Sequence, residues 1–188
     1  MSVLIQSRHP LGTADGFGIR PVLREMAREL AGHGYYVLVP NSFHRHGPAP
    51  LVELPEYIGE EVRPAVFAQL MPLIEAHTVE RVLSDADAYL RFLTTQPEAG
   101  AGPVAVTGYC IGGLYAMRTA AAHPDHVPEA LGELNQALDA ASVDHTSEIY
   151  PGTLHGFTMS DIDAFSASGL KRHWDRLLPL LDRTLANS

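Results

Sequence analysis

Cys110 is the only cysteine in the chain, and its neighbours decide what it can do. It sits in Gly108-Tyr109-Cys110-Ile111-Gly112-Gly113, a G-x-C-x-G arrangement between an apolar run and an amphipathic one. This is the spacing of a nucleophile elbow, with cysteine in the serine place. A nucleophile on a strained strand-to-helix turn leaves no room for side chains two residues before or after it. A helix N-terminus behind a cysteine favours the thiolate, and the amide N–H of Ile111 would face the oxygen that turns negative in acyl transfer. The alternative is a structural cysteine among glycines needed for close helix packing, since free cysteines are commonly buried and inert.

A thiol nucleophile needs a base, and ten histidines compete for that role. His155, in Leu154-His155-Gly156-Phe157, follows the last strand-like segment and precedes the last helix. In a hydrolase built on an elbow, the histidine comes last in chain order. His44-x-His46 and His123-x-x-His126 have metal-ligand spacing, but no third ligand clusters with either pair, so no metal is expected. A thiol redox role needs a resolving thiol, which this chain lacks.

These residues must be positioned by a fold. Tyr35 to Val39, Val104 to Tyr109 and Glu148 to Tyr150 read as buried strands, with Val3 to Ile5 a weaker fourth. Helices are expected from Pro21 to about His33, Val79 to Leu93, Gly112 to His123, Pro128 to about Ala141, and Ala164 to Leu185. The last carries Leu170, Trp174, Leu177, Leu178 and Leu181 on one stripe. Asn41 to Pro50 is expected to be a loop. Alternating elements with short connections predict a single α/β domain, a layered sandwich on a mostly parallel sheet.

The 188 residues suit one domain, and 46% hydrophobic residues suit a packed core. A net charge of −9 argues against nucleic acid or an anionic membrane as partner. No apolar run approaches the roughly 20 residues of a membrane span, and the N-terminus carries no secretory pattern, so a cytoplasmic protein is expected.

Taken together, the Cys110 elbow, His155-Gly156-Phe157 and Phe17-Gly18-Ile19 resemble the dienelactone hydrolase family. The resemblance implies an α/β-hydrolase-like three-layer sandwich, a Cys–His–Asp triad, no cofactor and a small ester or lactone substrate. The founding activity opens dienelactone to maleylacetate. By the same resemblance Cys110 is the nucleophile and His155 the base, with Ile111 and Gly16 forming the oxyanion hole. Asp15 takes the place of an acidic residue near the resting thiol. Phe17, Tyr109 and Arg45 face the substrate, Arg45 holding its carboxylate. A second carboxylate-binding arginine is expected four residues after the histidine, where this chain has Met159. An anionic substrate would thereby lose a contact worth roughly 1.5–3 kcal/mol.

The third triad member has no match. Asp125, Asp139 and Asp144 lie between nucleophile and base, but none ends a strand. Two blocks of the family domain are expected to be absent, around positions 12–17 and 126–129, so that the sheet lacks some strands. Losing the aspartate of a triad costs about 10⁴ in turnover. The alternative function is therefore an inactive, truncated homologue that binds or dimerises. The oligomeric state is left open.

Overall fold

The structure is a computed structural model. It describes the backbone of residues 3–6 and residues 16–99, 104–113, 115–116, 139–140, 142, 146, 148 and 150–185. Its described strands are β1 (Val3–Gln6), β2 (Tyr36–Leu38) and β3 (Val104–Thr107). The helices are α1 (Pro21–Gly32), α2 (Arg63–Glu75), α3 (Val79–Thr94) and α4 (Ala167–Leu185).

Local chemistry explains the boundaries. Pro21 fills the first turn of α1, where its missing N–H costs nothing. Val22, Leu23, Met26, Ala27 and Leu30 form the buried stripe. The helix stops at Gly34, whose φ of +88° suits glycine. The helix α4 starts three residues later than its apolar pattern suggests. Ser166 caps it by accepting the Gly169 N–H at 3.1 Å. The helix α2 has no counterpart in the periodicity: its sequence RPAVFAQLMPLIE is apolar on several faces and holds Pro72 inside. Only Pro64 in its first turn signalled a helix start.

The strands form one sheet in the order β2-β1-β3. Leu4 pairs with Leu38 on one side and Val106 on the other, and both ladders are antiparallel. The outer strands β2 and β3 therefore run parallel to each other, and β1 runs against both. Within the expected sheet, β1 is thus the antiparallel member among the described strands. A short strand between two like-directed neighbours satisfies both edges in either direction, and antiparallel ladders are slightly the more stable. The expected strand at Glu148 to Tyr150 is not formed: residues 148 and 150 are irregular, and 149 lies outside the described residues. The helix expected from Pro128 to Ala141 falls mostly outside them too, as do Asp125, Asp144 and positions 126–129. Among the described residues, no helix is long and apolar enough to cross a membrane.

Two apolar clusters carry the packing. One joins Leu30, Leu90, Leu93, Val104, Leu181 and Leu185, so α1, α3 and α4 share a cluster with β3. The other joins Leu23, Met26, Ile58, Val82, Met159 and Ile162. It lies under the loops that lead into α2 and α4. Arg20, only 5% exposed, fixes this region through Asp161 at 2.5 and 3.2 Å.

Candidate active site

The elbow forms at the C-terminal end of β3. Cys110 has φ of +54°, a left-handed conformation that costs a non-glycine residue free energy. Gly112 N–H donates to Tyr109 O at 2.8 Å, and Gly113 N–H to Cys110 O at 3.0 Å, so the helix starts at once. The turn is so tight that a Cβ on Gly108 would lie 2.1 Å from Gly112 O. That distance is the steric reason for the glycine, as its position in the motif implies. The thiol is exposed rather than packed in the core.

Cys110 opens onto a cavity of about 690 Å³ whose wall also carries His155, Phe17 and Tyr109. The sequence-predicted nucleophile and base thus share one cavity although they lie 45 positions apart. His155 lies on an exposed turn between Gly152 and Gly156, whose φ values are +75° and +94°. Among the described residues, no side-chain hydrogen bond orients its imidazole. Gly16 is buried, and a Cβ there would lie 3.6 Å from Ile111 Cγ2. The two expected oxyanion residues are therefore neighbours. Asp15 lies outside the described residues.

Arg45 is placed apart from this cavity. It sits in a single 3₁₀ turn, His44–His46, and does not line the cavity. Its two terminal nitrogens each donate at 2.6 Å to Asp85, a carboxylate only 6% exposed on the buried face of α3. A buried carboxylate needs such a partner, so the pair fixes the loop against α3.

Three cavity residues escaped the sequence reading. His173, on α4, lies with its Nε2 2.8 Å from Tyr109 Oη, and their rings meet edge-on at 5.4 Å. Burial pulls the His173 pKa down to about 4 and pushes the Tyr109 phenol up, so both are neutral at pH 7. Glu148 also lines the cavity. Arg176 donates to it at 2.8 Å and Arg172 donates to its other oxygen; these bonds lower its pKa to about 2. Arg63, from α2, completes the charged wall and pairs with Asp163. His173 looked like one more position on an amphipathic helix. Its spacing from the Trp174 stripe carries no signal of a cavity.

No group of three or more metal-ligating side chains occurs among the described residues. Three described carboxylates are committed to arginines: Glu148 to Arg172 and Arg176, Asp161 to Arg20, Asp163 to Arg63. Asp139 is exposed. An exposed thiol on a strained turn, sharing a cavity with a histidine, can carry out acyl transfer.

Comparison with known proteins bears on this arrangement. The chain is 32% identical over 105 residues to "Carboxymethylenebutenolidase" of Pseudomonas sp. (strain P51), covering 56% of this chain and 41% of that protein. It is 33% identical over 113 residues to "Carboxymethylenebutenolidase" of Rhodococcus opacus, covering 60% and 38%. The chain therefore spans about two fifths of the length of these curated relatives. A solved structure named m3DLH matches with a TM-score of 0.68 at 22% identity, over 92% of this chain and 85% of its own. That likeness establishes the fold, an α/β-hydrolase-like one of which the described sheet is a reduced version. Residues 13–132 match the Dienelactone hydrolase family, a stretch that runs from the Gly16 loop through the Cys110 elbow. By sequence and by fold, the chain belongs to the dienelactone hydrolase family.

Proposed function

We propose that the protein hydrolyses a small ester or lactone with Cys110 as nucleophile and His155 as base. The observation that carries this reading is the strained, exposed Cys110 sharing one cavity with His155. His155 takes the thiol proton, and sulfur attacks the carbonyl carbon. The N–H groups of Ile111 and Gly16 receive the negative oxygen. The C–O bond then breaks, His155 returns the proton to the leaving alkoxide, and a thioester remains on Cys110. Water, deprotonated by His155, cleaves the thioester, releases the acid and restores the thiol. Phe17 and Tyr109 contact the substrate, and the acidic role towards the resting thiol is assigned to Asp15. No cofactor enters the chemistry, and a reducing cytoplasmic setting would keep Cys110 available.

A second reading, a non-catalytic binding module, is favoured by one observation. His155 lacks an orienting carboxylate among the described residues, and Glu148, the carboxylate that shares its cavity, is bound by arginines. Hydrolysis of p-nitrophenyl acetate by wild type and Cys110→Ser separates the two. The hydrolase reading predicts turnover in wild type that falls at least about 10²-fold in the variant. Equal rates in both would refute it.

A further inference from the structure

We infer that the cavity selects neutral esters carrying an aromatic group and rejects carboxylated ones, a specificity that rests on the proposed hydrolase reading. Two aromatic pairs stand in the wall. Phe17 meets Phe67 of α2 with ring centroids 5.2 Å apart. Tyr150 meets Phe157, on either side of the His155 turn, also at 5.2 Å, with planes only 31° apart. Met159 and Ile162, 1% and 6% exposed, extend the apolar lining. Such faces suit a flat ring, which packs edge-on or offset against others.

Each charged group of the described wall is already paired. Arg63 faces Asp163, which stands back from the cavity. Glu148 is held ionised by Arg172 and Arg176, which also lie outside the lining. The Arg172 guanidinium is spent further on the Tyr150 ring, 4.9 Å from its centroid. Arg45 is locked to buried Asp85. A carboxylated substrate would meet the Glu148 carboxylate and lose water against aromatic faces, with no unpaired cation among the described lining residues to receive it. Tyr109 and His173 are both neutral and hold each other.

A matched pair of substrates tests this: p-nitrophenyl 3-phenylpropanoate and its ring 4-carboxy derivative. The inference predicts kcat/KM at least about tenfold higher for the neutral ester. Phe67→Ala should cut the preference for the phenylpropanoate over p-nitrophenyl acetate at least about threefold, since it removes one ring of a pair. Equal or faster turnover of the carboxylated ester, or an unchanged preference in Phe67→Ala, overturns it. Calorimetric binding to Cys110→Ala separates this failure from failure of the hydrolase reading. There, 3-phenylpropanamide should bind more tightly than 3-phenylpropanoate even if the wild type turns over no ester. Tighter binding of the acid, or binding of neither, overturns the inference.

Discussion

Cys110 and His155 face one cavity but are held in opposite ways. The elbow is over-determined. A glycine that admits no Cβ, two short backbone hydrogen bonds and a helix starting at Ile111 fix the thiol in a strained conformation. The His155 turn is exposed, flanked by two left-handed glycines and by Leu154, which is 71% exposed. The proposed nucleophile is preorganised by backbone geometry, whereas the proposed base depends on a side-chain partner that the described residues do not supply. Strain at a site persists only where the surroundings enforce it, and the tight turn at Gly108 does so here.

The largest test of this contrast is Gly108→Ala. Its Cβ would have to displace the Gly112 carbonyl, and a loss of more than about 3 kcal/mol in stability is expected. Chemical denaturation checks it; a near-neutral midpoint would show the elbow to be pliable. Next comes the base. His155→Gln should lower kcat on p-nitrophenyl acetate about 10²-fold, the low end for general-base loss, because the imidazole is not oriented. A loss near 10⁴ would mean that His155 is held as firmly as Cys110.

Smaller effects follow from pH. Burial disfavours the charged form of His173, lowering its pKa from 6.5 to about 4. Between those values the unfolded chain binds more protons, so stability is complete above pH 6.5 and falls as pH drops towards 4. Roughly 2 kcal/mol should be lost from pH 7 to 5 through this residue. His173→Asn, measured by denaturation at both pH values, should flatten the dependence; an unaltered slope would contradict the assignment. His77, half-buried and likewise lowered to about 4, adds in the same direction. The least effect is expected from Arg63→Gln, whose half-exposed pair with Asp163 contributes up to about 1 kcal/mol.

The same division governs what the sequence discloses. The elbow is legible because its requirements are local: an apolar run, two glycines at fixed offsets and a helix within ten residues. His155 is legible through chain order. Direction in the sheet is not, since Val3-Leu4-Ile5 reads alike either way and only long-range ladders orient it. The partnership of Arg45 with Asp85 spans 40 positions and joins a loop to a helix face. An arginine in a polar loop carries no sign of that buried carboxylate. The helix α2 hides because its apolar residues cover several faces and blur the 3.6-residue period. His173 hides for the converse reason, as a polar residue inside a clean amphipathic pattern.

The central claim is that Cys110 forms a covalent acyl intermediate. Wild-type protein mixed with p-nitrophenyl acetate, quenched in acid and read by intact-mass and peptide mass spectrometry, tests it directly. The account predicts one acetyl group, mapped to Cys110, that accumulates further in His155→Gln because deacylation needs the base. Hydrolysis that proceeds with no acetyl on Cys110 in either protein would contradict it.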